Sequence, residues 1–128
     1  MPKRVLVIED NEQNMYLTTF ILENKGYEVL QAWDGRQGIE AAVSAVPDLI
    51  LLDIQLPEMD GYAVAGNLKA DPRLAEVPIV AVTSYAMAGD RERILASGCT
   101  GYIEKPINPA TFLAQLEQYM QTPPTGER

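Results

Sequence analysis

The sequence predicts an α/β domain in which a five-stranded parallel sheet is covered by helices on both faces. Two observations lead to this fold class. Short apolar runs of strand length recur along the chain and alternate with stretches of helical spacing. The most apolar run, Leu-Ile-Leu-Leu at residues 49–52, is too short for a helix and suits a strand buried on both faces. Helices that connect parallel strands account for the alternation.

The strands are predicted from apolar runs, several of which end at polar residues. They cover residues 5–8, 27–32, 49–52, 77–83 and 101–104. The first ends at the pair Glu9 and Asp10, the third at Asp53, the fourth at Thr83, and Lys105 follows the fifth. Polar residues therefore follow four of the five predicted strands.

The helices are predicted from the residues that begin and end them. They cover residues 11–25, 35–46, 62–70, 88–96 and 109–120. Gly26 and Gly98 suit left-handed C-caps, Pro47 and Pro72 stop the second and third helices, and Pro109 suits a first helical turn. Apolar residues at mostly helical spacing support the first and the last helix: Met15, Leu17, Phe20, Ile21 and Leu22, and Phe112, Leu113, Leu116 and Tyr119.

Length and composition indicate one globular domain, which we place at residues 1–121, with a loose tail at 122–128. The net charge of −8 argues against a nucleic-acid partner, because such binding needs Lys and Arg to neutralise phosphates. No apolar run reaches the roughly 20 residues of a membrane span, and no signal peptide is evident. Cys99 is the only cysteine, so we expect no internal disulfide and a cytoplasmic location.

The polar residues at the strand ends can converge, because the carboxyl ends of parallel strands share one edge of the sheet, where ligands bind. Taken singly, each has an ordinary explanation. Asp53 could cap a loop, the pair Glu9 and Asp10 could cap a helix, Thr83 could be a turn residue and Lys105 a solvated surface charge. Three carboxylates, a hydroxyl and an ammonium at one edge are harder to explain as coincidence.

Such a carboxylate cluster predicts a bound cation. Two carboxylates about 5 Å apart repel by about 3 kcal/mol at an effective dielectric near 20. Oxygen-only ligands, without His or Cys, point to Mg²⁺. The cation, Lys105 and a hydroxyl could hold the equatorial oxygens of a phosphoryl group. Asp53, the central carboxylate, would then be the nucleophile.

These motifs resemble the receiver domain of two-component response regulators (the CheY-like superfamily) over nearly the whole chain. The matching features, in order, are Glu9-Asp10, the segment Asp-Ile-Gln-Leu-Pro-Glu-Met-Asp-Gly that begins at Asp53, Thr83, Tyr102 and Lys105-Pro106. The run after Asp10 and the run that begins at Thr83 look most like receivers of the DivK type and of hybrid sensor kinases. The resemblance implies a flavodoxin-like, doubly wound sheet with strand order 2-1-3-4-5.

The resemblance also implies a metal site and a phosphoacceptor. Asp53 is similar to the phosphorylated aspartate of the family and would also bind Mg²⁺. Asp10 resembles a direct ligand and Glu9 an outer-shell ligand, while Gln55 would offer its backbone carbonyl. Many receivers have Asp in place of Glu9, which bears on the metal geometry rather than on the use of a metal.

The remaining implied roles concern switching and the lifetime of the phosphoryl group. Thr83 resembles the switch hydroxyl, Tyr102 the aromatic residue that follows it inward, and Lys105 the cation that pairs with the phosphoryl group. Gln55 and Tyr85 lie where family members modulate hydrolysis. The Lys105–Pro106 peptide bond is expected to be cis.

The implied partners are proteins. The chain contains no histidine, so the phosphohistidine donor would be a sensor histidine kinase or a histidine phosphotransfer protein. A downstream target would bind the face formed by the predicted elements 88–96, 101–104 and 109–120. The receiver would be a signalling module rather than an enzyme with a separate substrate. The Met1 start favours a free-standing regulator, and a receiver cut from a hybrid kinase or a larger regulator is the alternative.

Four other classes of protein fit less well. A flavodoxin-like electron carrier needs a hydroxyl- and glycine-rich phosphate loop where this chain has an acidic run. A haloacid-dehalogenase-type phosphatase needs a second Asp where this chain has Gln55. A nucleotide-binding enzyme needs a glycine-rich phosphate loop, which is absent. A pseudo-receiver would have lost part of the acidic pocket, the Thr or the Lys.

Overall fold

The computed structural model describes residues 3–56, 59–84 and 88–120, and within them five strands and five α-helices alternate as predicted. The strands are β1 (Arg4–Ile8), β2 (Glu28–Ala32), β3 (Leu49–Asp53), β4 (Ile79–Thr83) and β5 (Gly101–Glu104). The helices are α1 (Glu12–Lys25), α2 (Gly35–Ala45), α3 (Gly61–Ala70), α4 (Ala88–Ala96) and α5 (Pro109–Met120).

All five strands are parallel and lie in the order β2-β1-β3-β4-β5, which confirms the predicted flavodoxin-like topology. β3 occupies the centre of the sheet, and all five of its residues are buried. Because the strands are parallel, their carboxyl ends share one edge. Asp53, the last residue of β3, therefore stands in the middle of that edge.

Two hydrophobic layers sandwich the sheet. Alternate strand residues, such as Leu6, Ile50 and Ala81, pack against buried residues of α2, α3 and α4. The residues between them, such as Val7, Leu51 and Val80, pack against α1 and α5. This alternation follows from the two-residue period of a strand, which places successive side chains on opposite faces. The apolar run Leu49–Leu52 within β3 fits a strand that has no solvent-exposed face.

Several elements begin or end one or two residues from their predicted bounds, and backbone hydrogen bonds explain two of the shifts. β2 begins after Tyr27, because the Tyr27 N–H donates to the Leu22 carbonyl as part of the C-cap of α1. Gly26 there has a φ of 104°, as its predicted left-handed role requires. β4 begins at Ile79 instead of Val77, because the Val77 N–H donates to the Leu74 carbonyl.

The segment before β4 contains an element that the sequence analysis missed, a 3₁₀ helix at Pro72–Leu74. Asp71 caps it through a hydrogen bond from the Arg73 N–H to Oδ1, at 2.9 Å. The predicted stop at Pro72 is confirmed for α3, but a Pro that ends one helix also suits the first position of the next.

α1 buries three of the five apolar side chains that predicted it, Met15, Ile21 and Leu22, and Thr18 in addition. Phe20 is 57% exposed and stacks on Tyr16, with the ring centroids 6.3 Å apart. In α5, Phe112 and Leu116 are buried as predicted. None of the helices in the described parts of the chain is both long and apolar enough to cross a membrane.

Candidate functional site

Three carboxylates meet at the carboxyl edge of the sheet. Glu9 and Asp10 directly follow β1, and Asp53 ends the neighbouring β3. The two strands pair with Ile8 opposite Leu52, so the next residue of each strand, Glu9 and Asp53, falls at the same level. One oxygen from each of the three carboxylates lies within 4.8 Å of the others. The convergence predicted from the strand ends is therefore present.

The cluster is buried on one side and open on the other. Asp53 and Glu9 are only 2% and 5% exposed, whereas Asp10 is exposed. Burial, a hydrogen bond with Asp53 and repulsion from the Asp53 charge together raise the pKa of Glu9 from 4.5 to about 7. The Asn11 N–H, which donates to Glu9 Oε2 at 3.1 Å, and the Lys105 charge only partly oppose this rise in pKa. In the metal-free site, Glu9 therefore changes its protonation state near neutral pH.

Asp53 is held in place by two donors that converge on the same oxygen. The Lys105 Nζ atom lies 3.2 Å from Asp53 Oδ1, and the Gln55 N–H donates to that oxygen at 2.9 Å. Lys105 follows β5, and its side chain extends past β4 to Asp53 at the end of β3. Its own N–H donates to the Thr83 carbonyl at 2.8 Å, and the Lys105–Pro106 bond is cis, as predicted.

Thr83 and Tyr102 lie on the same face of the sheet. Tyr102 pairs with Ala81, and Thr83 is two residues beyond Ala81, which places both side chains on the face that carries α4. Thr83 is 1% exposed at the end of β4, whereas Tyr102 is half-buried and packs against the apolar layer on that face. The two predicted switch residues therefore lie on one face, on neighbouring strands.

The side chain of Gln55 connects the chain segments that leave β3 and β4. Its Oε1 atom accepts a hydrogen bond from the Ser84 N–H at 3.2 Å. Gln55 was predicted to offer its backbone carbonyl to a metal and to modulate hydrolysis. The bridge to Ser84 was not predicted, because no sequence pattern links residues 55 and 84. Tyr85, the other predicted modulating residue, lies outside the described residues.

A glycine at the start of α3 fixes the path of the chain after Asp53. The Gly61 N–H donates to the Ile54 carbonyl at 3.3 Å, and a Cβ atom on Gly61 would lie 2.5 Å from the Ile54 Cα atom. Any side chain at this position would push against backbone directly behind the phosphoacceptor candidate. Asp60 caps the same helix through a hydrogen bond from the Tyr62 N–H to Oδ1, at 3.0 Å. The sequence indicated a loop here but not this close approach.

The chemistry of the site fits a hard divalent cation. Its donors are carboxylate oxygens, with the backbone carbonyl of Gln55 as a further candidate, and such oxygen ligands suit Mg²⁺. Burial, and then the hydrogen bond and charge of Asp53, raise the pKa of Glu9, and the Lys105 charge only partly opposes this rise. A cation among Glu9, Asp10 and Asp53 would supply the missing positive charge.

Known proteins resemble the chain over nearly its whole length. A polar-differentiation response regulator DivK from Brucella anthropi is 45% identical over 120 residues, which cover 94% of this chain and 98% of that protein. The corresponding DivK from Brucella abortus is 44% identical over the same shares.

Solved structures of response-regulator receivers and related proteins also resemble the chain over nearly its whole length. The receiver domain of a Pseudomonas aeruginosa sensor histidine kinase has a TM-score of 0.86 and 33% identity over 94% of this chain and 98% of that one. That structure has a magnesium ion coordinated in its active-site cleft. The chemotaxis protein CheY4 of Vibrio cholerae has a TM-score of 0.89 and 28% identity, over 93% and 99% of the two chains.

The model of the response regulator receiver domain matches residues 5–117, a range that contains every residue of the site described above. Together with the DivK relatives and the five-stranded topology, this match confirms the resemblance that the motifs indicated. The chain belongs to the response regulator receiver domain family.

Proposed function

We propose that this domain receives a phosphoryl group on Asp53 in a two-component phosphorelay and passes the signal on through protein contacts. The observation that carries the proposal is the pairing of Asp53 with Lys105, at 3.2 Å, inside a cluster of three carboxylates. A buried carboxylate with a fixed cation beside it suits a nucleophile, because the ammonium stabilises both the anion and the incoming phosphoryl oxygens.

The proposed reaction is a phosphoryl transfer from a phosphohistidine. An oxygen of Asp53 attacks the phosphorus, a P–O bond forms, and the P–N bond breaks with its electron pair returning to the imidazole of the donor. The Gln55 N–H and Lys105 orient Asp53 for this attack. The chain contains no histidine, so the donor is another protein, such as a sensor histidine kinase or a histidine phosphotransfer protein, or a small phosphodonor.

Mg²⁺ would be held by four groups: the carboxylates of Glu9, Asp10 and Asp53 and the backbone carbonyl of Gln55. Bound there, the ion would neutralise charge on the carboxylates and on the transferred group. The all-oxygen donor set and the raised pKa of Glu9 support this assignment. Asp10 would bind the ion directly and Glu9 would act from the outer shell, since Asp10 is the more exposed of the two.

Thr83 and Tyr102 form the proposed switch. Phosphorylation places charge and acceptor oxygens beside Thr83, whose hydroxyl can donate to them. A shift of Thr83 would free space on the sheet face that it shares with Tyr102. Rotation of Tyr102 would then change the face formed by α4, β5 and α5. We propose that Gln55 and Tyr85 modulate how long the phosphoryl group survives.

The downstream target is proposed to bind this α4–β5–α5 face. A groove of about 550 Å³ runs along part of it, lined by Tyr102, Lys105, Asn108, Gln115 and Tyr119 among others. Because the groove includes both the switch residue Tyr102 and the site residue Lys105, its shape would depend on the state of Asp53. A partner on this face should bind the phosphorylated and unphosphorylated forms with different affinity, and equal affinities would refute this output.

We propose that the domain acts in the cytoplasm, as a signalling module that assists its own phosphorylation and dephosphorylation without a separate substrate. We place the receiver at residues 1–121 and the tail at 122–128, outside the described residues. A receiver that is part of a hybrid kinase or a larger regulator would use the same site.

Phosphoryl transfer from labelled donor proteins tests the proposed function. Wild type and the variants Asp53→Asn and Asp48→Asn are mixed with phosphorylated histidine kinases or phosphotransfer proteins, with Mg²⁺ or with a chelator. Asp48 precedes β3 at the opposite edge of the sheet and serves as the matched control. We expect label on wild type and Asp48→Asn only with Mg²⁺, and none on Asp53→Asn. Equal labelling of Asp53→Asn would refute the proposal.

A further inference from the structure

We propose that Arg93 is a positioning residue that holds α4 against the beginning of α3 and thereby opposes the change of α4 that phosphorylation produces. The inference rests on the proposed phosphoacceptor function of Asp53, and adds to it a residue that sets how readily the site and the output face change together. Arg93, Tyr62 and Asp60 are called the Arg93 clasp below.

The clasp joins two helices through two contacts. The Arg93 guanidinium carbon lies over the Tyr62 ring, 4.1 Å from the ring centroid. A guanidinium nitrogen of Arg93 lies 3.8 Å from Asp60 Oδ2. The first contact is a close cation–π interaction and the second a longer, exposed ion pair. The stacking on Tyr62 is therefore the stronger half of the clasp.

The two residues that Arg93 contacts, Tyr62 and Asp60, are each held by further contacts. The Tyr62 ring packs against the apolar layer beneath the sheet face, which makes it a fixed platform. Asp60 uses its Oδ1 atom to accept the Tyr62 N–H and cap α3, which leaves Oδ2 for Arg93. Arg93 thus contacts two residues at the start of α3 that are themselves held in place.

α4 has few other lateral attachments. Among residues 89–96, Ile94 is the one buried side chain, whereas Leu95 is 53% exposed. The helix ends with the Ser97 hydroxyl donating to the Ile94 carbonyl at 2.6 Å and with Gly98 at a φ of 110°. The Ser97 hydrogen bond is local to α4, whereas Gly98, just past the end of the helix, lies close to the Lys69 side chain of α3. A helix with so few side-chain anchors is the kind of element that moves in a switch.

The position of the clasp relates it to the Asp53 site. Asp60 and Tyr62 follow β3, the strand that ends in Asp53, and α4 follows β4, the strand that ends in Thr83. The clasp therefore joins the chain segments that leave the two strands of the site. If Thr83 moves toward a phosphoryl group, the chain carries that movement toward α4, and the clasp resists it. Loss of the clasp should favour the phosphorylated conformation.

Binding of beryllofluoride with Mg²⁺, as a stand-in for the phosphoryl group on Asp53, tests this inference. Arg93→Met keeps an apolar stem but loses the cation, and Arg91→Met makes the same change at an exposed position of the same helix. We expect Arg93→Met to bind beryllofluoride about three- to tenfold more tightly than wild type, and Arg91→Met to match wild type. Tyr62→Phe keeps the ring and should behave as wild type, whereas Tyr62→Leu should behave as Arg93→Met. Unchanged or weaker binding by Arg93→Met would overturn the inference.

Amide hydrogen exchange of the unliganded protein gives a second, independent readout. Exchange in α4 should be faster in Arg93→Met than in wild type and unchanged in Arg91→Met, with β3 protected equally in all three. If amide exchange in α4 is as slow in Arg93→Met as in wild type, the proposed clasp is refuted, whatever the result with beryllofluoride. If wild type fails to bind beryllofluoride while α4 is loosened as expected, the phosphoacceptor function fails and the attachment of α4 by Arg93 stands.

Discussion

The Nζ atom of Lys105 lies 3.2 Å from the Oδ1 atom of Asp53, a carboxylate that is only 2% exposed. This ion pair forms beside Glu9, whose pKa is raised by burial and by the proximity of Asp53. A buried charge is costly unless it is paired. The pairing with Lys105 therefore compensates for the burial of the Asp53 carboxylate at the end of β3.

Removal of the ammonium from this pair should destabilise the metal-free protein. At pH 8 with a chelator, we expect Lys105→Met to lower the free energy of unfolding by about 1–3 kcal/mol, because Asp53 then keeps an uncompensated buried charge. The control is Lys25→Met, which breaks an exposed pair with Glu117 and should cost at most about 1 kcal/mol. Urea denaturation compares the two, and equal losses would contradict the role given to Lys105.

Glu9 should make the metal-free protein less stable as the pH rises. Its pKa is about 7 in the folded protein against an ordinary 4.5, so the folded state holds a proton that the unfolded state releases. The corresponding stability is fully present below pH 4.5 and is lost as the pH rises through 7. Between pH 5 and 8, wild type should lose about 2 kcal/mol more than Glu9→Gln in urea denaturation with a chelator. Parallel pH profiles of the two proteins would contradict the raised pKa.

A positive charge at position 10 should stabilise the metal-free protein. Asp10→Lys places an ammonium beside Glu9 and Asp53 and relieves their repulsion, so we expect the melting temperature at low salt to rise by about 3–6 °C. Glu76→Lys changes the net charge equally at an exposed position away from the strand-end cluster and controls for the overall charge of −8. The same melting temperature in Asp10→Lys and wild type would count against a repulsive cluster.

Gly61 should resist even the smallest side chain. A Cβ atom at this position would lie 2.5 Å from the Ile54 Cα atom, so Gly61→Ala should displace the backbone behind Asp53 and destabilise the fold by about 2–3 kcal/mol. Gly66→Ala, in the same helix with open space around it, should stabilise the protein by about 0.5–1 kcal/mol through helix propensity. Chemical denaturation measures the stability of both variants. A Gly61→Ala protein as stable as wild type would show that the close contact between position 61 and the Ile54 backbone does not require glycine.

The sequence was most informative where a local pattern has a single physical cause. Apolar runs located the strands to within about two residues, because such runs are of strand length and too short for a helix. The order of strand ends brought Glu9, Asp53 and Lys105 to one edge, because a parallel sheet allows no other arrangement. Gly26 and Pro109 marked helix ends through backbone geometry alone.

What sequence analysis missed depends on contacts between residues far apart in the chain. The bridge from Gln55 to Ser84 and the clasp of Arg93 on Tyr62 leave no periodic signal, because each joins side chains on different elements. Phe20 was wrongly counted among the apolar residues that support α1 packing. An apolar residue at nearly helical spacing can still face solvent, as Phe20 does. The raised pKa of Glu9 also required the structure, because it arises from burial together with a neighbouring charge.

Chemical location of the phosphoryl group tests the central claim most directly. The protein is incubated with a small acyl phosphate and Mg²⁺, the acyl phosphate formed on the protein is reduced with borohydride, and the peptides are mapped by mass spectrometry. Reduction converts a phosphorylated aspartate to homoserine, so we predict homoserine at position 53 in wild type only when Mg²⁺ is present. An unmodified Asp53 in protein that carries a phosphoryl group on another residue would contradict the proposed function.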